Sequence, residues 1–480
     1  MSAFKHTLIN VLQKFDAKLP DLRLRPSLIV LVFIGCFSFF TGDLWKPYNQ
    51  DAGGHNFYWD VFGYYSYLPA YFCNNGSMEI PGGLADYNPP GPLGTHVPKY
   101  TYGVSVMYAP FFALGYKIAY NTHAPLTGFS NPFVTCLHWS TLFYVLIGLL
   151  FLRALLLRYF NELIVAITLC LVFFGSMVFH YTLTQSEMTH AYLFSLFCAF
   201  LWLTQQWHLK PSYKLSFWLA FVIGLITLIR PTEVFIFAFF ILWDVRSFAD
   251  IKTKFKLLLN YWPHMLLIAA VAAAWWIPQL LFYKKHAGTY FYFSYMRERF
   301  FWNDPQIINV MFSYRKGWIT YTPLVALALL GIPFMKKEFP LSKWSMLLVT
   351  AAILYVLSCW WDWNYGGCFG ARSFSQQMAI HAIPLAYLLH YFIYDSKAGL
   401  MKSVSTFILA ICFCSALFLN LGFSYHYNTT KKIHPWAMTK NNYWMVIRTY
   451  QFGDLDNDAW WRYLHEPDFI KYSDGTDRNQ

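Results

Sequence analysis

The feature that most constrains this chain is a succession of apolar runs, each nearly as long as a bilayer is thick. A membrane-spanning helix needs about 20 predominantly apolar residues. The runs that approach this length cover residues 27–43, 133–152, 162–180, 189–206, 214–230, 232–247, 262–282, 319–335, 343–360, 376–394 and 402–424. The sequence therefore predicts an all-α membrane protein with about 11 transmembrane helices.

The charged fraction excludes an ordinary soluble domain. Only 12% of the residues are charged and 57% are hydrophobic, whereas a soluble domain carries about 25% charged residues. The net charge of +12 comes from short basic clusters between the apolar runs, which is where the residues that set membrane topology lie. We therefore expect the lipid bilayer, and no nucleic acid, as a partner.

The basic clusters also set the orientation, because the positive-inside rule places them in the cytoplasm. The clusters are Arg153/Arg158, Lys210/Lys214, Arg246 with Lys252, Lys254 and Lys256, Lys336/Lys337 and Lys397/Lys402. Their alternation is consistent only if the apolar stretch 102–120 does not cross, so we predict an interfacial helix there. The predicted units are a cytoplasmic N-terminus (1–26), a transmembrane domain (27–424) whose first external loop covers about 43–132, and an external C-terminal tail (425–480).

The more elaborate connections then share one face of the membrane. Besides the first loop and the tail, they are 181–188, 283–318 and 361–375, whereas the cytoplasmic connections are short and basic. Functional residues concentrate on loops held by a rigid scaffold. The sequence therefore predicts that the protein works on its external face.

Two segments of the first external loop carry candidate functional groups. Asp60 lies among aromatic and aliphatic residues in Trp59-Asp60-Val61-Phe62-Gly63-Tyr64. A carboxylate in such surroundings pairs with a cation or serves as a base, although a solvated loop residue or a helix cap also fits this position. Lys99 precedes the 102–120 stretch and can reach a lipid phosphate; the alternative is ordinary snorkelling to headgroups.

Two later segments place ionisable residues at the ends of apolar runs. Glu187 and His190 are three residues apart, so on a helix they share a face, and His190 begins an apolar run, where an ionisable group is costly and usually functional. Arg230 and Glu233 flank a proline between two runs. They either pair with each other or leave Arg230 as a cation facing an external cavity.

The most distinctive segment is Cys359-Trp-Trp-Asp-Trp-Asn-Tyr-Gly-Gly-Cys-Phe-Gly-Ala-Arg372. Glycines permit a close backbone approach, indoles such as Trp361 and Trp363 can stack on a sugar, and Arg372 can bind a phosphate through two hydrogen bonds. An aromatic belt explains the tryptophans but not the glycines and the arginine together. The segment therefore favours a functional site.

Together these segments resemble the GT-C superfamily of polytopic glycosyltransferases, in particular the bacterial aminoarabinose transferase and protein O-mannosyltransferase branch. Asp60 and Tyr64 match the family's acidic motif Asp-Glu-x-x-Tyr, and Val61 stands in place of its second acid. Pro98-Lys99, Arg230-Pro231 and the Gly-Gly-x-x-Gly-x-Arg of 366–372 are also similar. Because the second acid is missing, the resemblance does not support a divalent metal, and no cofactor is expected.

The resemblance implies transfer of a sugar from a polyprenyl-phosphate donor to a hydroxyl of a protein, lipid or glycan acceptor. The reaction would invert the anomeric centre on the periplasmic face of the bacterial inner membrane. The implied roles are Asp60 as general base, Arg372 with Lys99 and Arg230 as phosphate ligands, and Tyr64, Glu187, His190, Trp361 and Trp363 as substrate-positioning residues.

Two other classes of function remain open at this point. A transporter or flippase of lipid-linked or anionic substrates predicts charged groups along a path through the spans and repeated halves; the ionisable residues lie instead at span ends. A membrane scaffold of an envelope assembly predicts a docking element, and the aromatic tail residues Trp436, Tyr443, Trp444, Trp460 and Trp461 suit that purpose. They equally suit a cap over an external cavity.

Overall fold

The computed structural model describes the greater part of the chain and is helical throughout that part. The described residues are 25–45, 57, 59–79, 90–296, 298–396, 399–452 and 457–475. Within these ranges there is no β-strand, only two isolated bridges, which join Pro90 to His96 and Phe300 to Trp360. The N-terminal segment up to residue 24 and Lys397, for which a cytoplasmic location is predicted, lie outside the described residues.

The α-helices are numbered in chain order. They are α1 (Pro26–Trp45), α2 (Trp59–Tyr65), α3 (Tyr67–Cys73), α4 (Gly103–Asn121), α5 (Asn131–Leu156), α6 (Glu162–Phe174), α7 (Met177–Leu183), α8 (Thr189–Leu209), α9 (Tyr213–Ile229), α10 (Phe237–Ile241), α11 (Phe248–Asn260), α12 (Trp262–Ala274), α13 (Trp276–Ala287), α14 (Ile307–Phe312), α15 (Trp318–Tyr321), α16 (Leu324–Leu330), α17 (Lys343–Ser358), α18 (Met378–His390), α19 (Leu400–Tyr425), α20 (Lys440–Phe452), α21 (Asn457–Tyr463) and α22 (Phe469–Asp474). Short 3₁₀ segments cover Pro231–Ile236, Ile332–Phe334 and Arg372–Gln377, and π-helical turns cover Tyr391–Asp395 and His426–Thr430.

In the described part of the chain, four helical segments are long and apolar enough to cross a membrane. They are Pro26–Trp45, Asn131–Leu156, Trp262–Ala287 and Leu400–Thr430. The pair α6 and α7, bent by 61°, makes a fifth if it counts as one broken span. These apolar helices indicate a membrane protein.

Several of the other predicted spans correspond to shorter apolar helices. These are Tyr213–Ile229, Pro231–Ile241, Leu324–Phe334 and Lys343–Ser358. Proline accounts for part of the shortening, because it has no N–H to donate and ends a helix that precedes it. Only Arg230 separates Pro231 from the end of α9, and Pro333 lies in the 3₁₀ turn after α16. The helix over the 102–120 stretch, α4, is not among the helices apolar enough to cross.

Helix α8 lies at the centre of the bundle and brings its first turn to the candidate site. It packs against α5, α9 and α18, and every residue from Thr189 to Leu201 is buried. A helix that is apolar on all sides is stable only when neighbours surround it. Consequently the turn 184–188 before α8 is held between buried helices.

Polar contacts mark two opposite ends of α5. Near its start, His138 Nδ1 lies 3.8 Å from Glu187 Oε1. Arg153, about 22 Å further along the helix axis at 1.5 Å per residue, pairs with Glu162 at 2.6 Å. The turn containing Glu187 and the basic cluster of Arg153 therefore lie at opposite ends of the bundle.

The C-terminal tail packs back onto the segments around residues 299–321. The hydroxyl of Tyr443 donates to the Thr320 carbonyl at 3.0 Å. The half-buried end of the tail is held by Arg315, whose guanidinium donates to the His465 carbonyl at 3.1 Å. The tail is thus an integral part of this end of the molecule.

Candidate functional site

A cavity of about 780 Å³ lies at the end of the bundle that carries Glu187. Its walls come from α2, the segments 184–190, 230–232, 293–300 and 357–373, and the tail. Eight of the nine side chains singled out in the sequence line it: Asp60, Tyr64, Lys99, Glu187, His190, Arg230, Trp361 and Arg372. The ninth, Trp363, does not.

Asp60 and Arg372, 312 residues apart in sequence, form an ion pair in this cavity. Arg372 Nη2 donates to Asp60 Oδ2 at 2.8 Å, and the hydroxyl of Tyr100 donates to Asp60 Oδ1 at 2.6 Å. Burial has the largest single effect and raises the pKa of Asp60, but the Arg372 guanidinium, the Tyr100 hydrogen bond and the charge of Lys99 together lower it by more, so the net shift is downward. In this state Asp60 is an ionised hydrogen-bond acceptor and a weak base.

A glycine turn carries Arg372 to its position. Gly370 has a φ of +54°, a conformation that glycine adopts without steric cost. A Cβ at this position would lie 2.8 Å from the Met177 sulfur, so the close contact with α7 also requires glycine. The chain then enters the 3₁₀ segment Arg372–Gln377 with the guanidinium beside Asp60.

Lys99 belongs to the same cavity wall. Its Nζ lies 2.6 Å from Glu298 Oε1 and 5.2 Å from the centre of the Tyr295 ring. The neighbouring Tyr100 ring packs on Tyr64 at 4.2 Å between centroids. Lys99 is therefore held by an anion and by an aromatic face, and its ammonium does not simply extend along the protein surface.

Arg230 does not pair with Glu233. Its Nη2 donates to Ser373 Oγ at 3.1 Å, and its guanidinium lies 5.9 Å from the Tyr365 ring centre. Buried Glu233 accepts hydrogen bonds from the side chains of Gln376 and Gln377 instead. Of the three arginine and lysine side chains that line the cavity, Arg230 is the one without an ion pair to another described residue.

Glu187 and His190 both line the cavity but do not share a helical face. Glu187 lies in the turn before α8, and the helix begins at Thr189. The carboxylate of Glu187 faces His138, whereas the ring nitrogen Nδ1 of His190 lies 3.4 Å from Gln376 Oε1. The two residues are therefore close to the same cavity, as the spacing of three residues predicted, but a turn and not one face of a helix brings them there.

Trp361 and Trp363 point to different surroundings. Trp361 lines the cavity, whereas Trp363 is only 2% exposed and packs in the hydrophobic core. The segment between them is irregular, so the chain direction there sends the second indole inward. The structure thus gives no support for Trp363 as a platform for a sugar.

Asp362, between these tryptophans, is an acid of the cavity that the sequence did not single out. It is 7% exposed, and burial raises its pKa to about 6 against the opposing charges of Arg372 and Lys316. Its Oδ1 has no hydrogen-bond partner among the described residues, and neither has the indole Nε1 of adjacent Trp361. The sequence signal was an acid enclosed by three tryptophans, the same signal that drew attention to Asp60.

The Gly-Gly pair receives a side chain of the tail. A Cβ on Gly367 would lie 2.4 Å from the indole of Trp436, and Gly366 has a φ of +72°. Trp436 and Phe469, both from the tail, line the cavity and meet each other edge to face, with centroids 5.5 Å apart. Of the two uses predicted for the aromatic tail, this packing matches a cap over the cavity.

The cavity therefore combines an aromatic rim with four carboxyl side chains and three basic ones, namely Asp60, Glu187, Glu298 and Asp362, and Lys99, Arg230 and Arg372. Among the residues that the structure describes, no three His, Cys, Asp or Glu side chains are grouped to hold a metal ion. No protein-family model and no curated protein matches this chain.

Proposed function

We propose that this protein transfers a sugar from a polyprenyl-phosphate donor to an acceptor hydroxyl, with inversion at the anomeric carbon. The observation that carries the proposal is the contact between Asp60 and Arg372 in a cavity that also contains Lys99 and Arg230. A sugar transfer of this kind needs a proton acceptor beside a cationic site for the departing phosphate. The resemblance to GT-C glycosyltransferases assigns the same residues to these roles.

The proposed location is the bacterial inner membrane, with about 11 spans and the cavity on the periplasmic face. Support comes from α5, because Glu187 of the cavity lies at its start and the basic cluster of Arg153 lies at its other end. Since basic clusters stay in the cytoplasm, the cavity faces the opposite side. In this arrangement the lipid tail of the donor lies among the spans and its phosphate enters the cavity.

Arg230 is the first ligand that we propose for the donor phosphate. It carries a permanent charge with no ion-pair partner among the described residues, and it lies close to Ser373, the residue that follows Arg372. A guanidinium can bind a phosphate with two hydrogen bonds. Lys99 and Arg372 already have carboxylate partners, so they share their charge with the phosphate once it arrives.

The chemical step requires Asp60 to become a better base than it is in the free protein. When the phosphate shares Arg372, the lowering effect of the guanidinium on the pKa of Asp60 weakens and the effect of burial increases. Asp60 then takes the proton of the acceptor hydroxyl as its oxygen attacks the anomeric carbon. The bond from that carbon to the phosphate oxygen breaks, and polyprenyl phosphate leaves with the bonding electrons.

The experiment measures transfer by the full-length protein in nanodiscs supplied with a polyprenyl-phosphate sugar and candidate acceptors. We expect Asp60→Asn to lower the rate by about 10²–10⁴-fold, the usual contribution of a general base. Transfer at the wild-type rate in a correctly folded Asp60→Asn variant would exclude Asp60 as the general base.

A binding experiment tests the phosphate site. Arg230→Gln should weaken polyprenyl-phosphate binding by about tenfold or more. Arg246 is an exposed arginine outside the cavity, so Arg246→Gln should leave that binding unchanged.

A further inference from the structure

We infer that the cavity wall formed by Trp361, Asp362, Trp436 and Phe469 is an acceptor subsite that binds a neutral carbohydrate. The inference rests on the proposed function and names the class of acceptor, a glycan in preference to a protein or a lipid. Three of these residues were not among the predicted site residues. We refer to the four as the acceptor wall.

Two polar atoms of the acceptor wall lack partners inside the protein. The indole N–H of Trp361 is a donor without an acceptor, and Oδ1 of Asp362 is an acceptor without a donor. Leaving such a buried group unpaired costs about 1–3 kcal/mol, so groups of this kind call for a ligand or a water. A saccharide offers hydroxyl groups that can accept from the indole N–H or donate to the carboxylate oxygen.

The remaining residues of the acceptor wall offer apolar faces. Trp436 is 37% exposed, and the ring of Phe469 lies 5.5 Å from it and 6.5 Å from the ring of Trp361. A pyranose has one face made mainly of C–H groups and an edge of hydroxyls. Aromatic faces beside an unpaired donor and acceptor therefore match the two sides of a sugar ring.

The tail gives the direction from which this ligand arrives. Trp436 and Phe469 belong to the tail, whose helices α20 and α21 carry charged residues such as Lys440 and Asp458 and are not among the helices apolar enough to cross a membrane. A molecule that reaches the acceptor wall thus comes through a polar part of the protein, from the water. The lipid-linked donor comes from the bilayer, so it has a different route of entry.

The charges separate the two substrates in the same way. The carboxylate of Asp362 repels a phosphate, whereas Arg230 has no ion-pair partner among the described residues and attracts one. Glu298 also lines the cavity, so an acceptor with carboxylate groups is disfavoured. The acceptor wall is therefore suited to a neutral saccharide that approaches the anomeric carbon of a donor bound on the cationic side.

The test is saturation-transfer-difference NMR with the full-length protein in nanodiscs and a panel of neutral oligosaccharides, plus one uronic-acid oligosaccharide. We expect at least one neutral oligosaccharide to bind, and binding to weaken about tenfold in Asp362→Asn and in Trp361→Phe, which keeps a ring but removes the N–H. Two tail variants, Asp458→Asn and Trp461→Phe, change the same residue types at exposed positions and should leave binding unchanged. The uronic-acid oligosaccharide should bind more weakly than the neutral ones.

A competition arm distinguishes an acceptor subsite from a donor-sugar subsite. Adding a synthetic polyprenyl-phosphate hexose should leave the oligosaccharide bound if the acceptor wall serves the acceptor. Displacement by that lipid, no binding by any oligosaccharide, or equal binding in the Asp362 and Trp361 variants overturns the inference. Binding of the lipid is measured in the same samples with Arg230→Gln: if that arm alone fails, the proposed donor is wrong while the carbohydrate subsite stands.

Discussion

Replacing Asp362 by asparagine should stabilise the protein, and the gain should depend on pH. The side chain is 7% exposed, and its pKa rises from 3.8 to about 6 on folding because burial disfavours the charged form. Asparagine has nearly the same shape and cannot ionise. The variant therefore avoids the cost of keeping a carboxylate ionised in the buried cavity wall.

The magnitude follows from the pKa shift. A raised carboxyl pKa means that the folded protein holds the proton more tightly than the unfolded chain, so the stability contributed by the neutral form is present below pH 3.8 and is lost as the pH rises through 6. At 1.36 kcal/mol per unit, the full difference is about 3 kcal/mol. About half of this free-energy cost of ionising Asp362 is present at pH 5, and nearly all of it is present at pH 8.

Thermal unfolding in detergent or nanodiscs, followed by intrinsic fluorescence, measures the effect. We expect the Tm of Asp362→Asn to exceed that of the wild type by a few degrees at pH 8, and the difference to shrink steadily towards pH 4. Asp458→Asn, at an exposed position of the tail, serves as the control with no expected change. A variant that is less stable than the wild type at pH 8 would refute the reasoning, because Asp362 would then be a net stabilising partner of its neighbouring cations.

Three further predictions concern the other parts of the site. Asp60→Asn should destabilise the fold by about 3 kcal/mol because it leaves Arg372 without its carboxylate, and adding Arg372→Gln should recover part of that loss in a double-mutant cycle of Tm values; independent effects would contradict the pairing. Arg372→Lys keeps the charge but loses the planar fork that gives two hydrogen bonds to one anion, so kcat should fall about tenfold or more while KM for the donor changes less; the opposite pattern would place the effect in binding. Gly367→Ala puts a Cβ 2.4 Å from the Trp436 ring, so acrylamide quenching should report a more exposed tryptophan, whereas Gly35→Ala, with its nearest neighbour at 3.5 Å, should quench as the wild type does.

The grouping of the site residues followed from sequence because ionisable residues are rare in this chain. Arg230 and Arg372 lie beside apolar runs, and Asp60 lies among aromatic and aliphatic residues of the first predicted external loop. Such groups cluster where water reaches the end of a bundle. This reasoning identifies the neighbourhood but not the partners. Which cation meets Asp60 depends on a contact across 312 residues, and local patterns carry no information at that range.

Local contacts depend on tertiary packing in the same way. The sequence left open whether Arg230 pairs with Glu233, and packing of the 3₁₀ segment Arg372–Gln377 brings glutamine amides to that carboxylate instead. Trp363 looked equivalent to Trp361, yet an irregular segment has no period that assigns faces. Tertiary packing decided both cases, as it usually does when local preferences are weak.

Length alone does not give the number of spans, because several apolar helices of the described part are short. Helices such as α9 and α17, with 17 and 16 residues, are shorter than the roughly 20 residues of a regular span. They are followed by irregular or 3₁₀ segments that supply cavity residues, Arg230 after α9 and Trp361 after α17. In the proposed topology both helices are spans, and irregular backbone at membrane depth is tolerated there because it lines a polar cavity.

The pairing of Asp60 with Arg372 raises a question for the proposed mechanism, because a neighbouring cation makes a carboxylate a weaker base. The hydrogen bond from Arg372 to Asp60 uses only one nitrogen of the guanidinium. Because a guanidinium carries five N–H donors in a planar fork, Arg372 has donors left for a second anion without releasing Asp60. A second anion on the same guanidinium weakens its effect on the first, and in a buried site this raises the pKa of the carboxylate. In the proposed reaction, donor binding therefore makes Asp60 a stronger base when the acceptor hydroxyl has to lose its proton. On the same proposal, proton abstraction depends on the presence of the lipid phosphate beside Arg372.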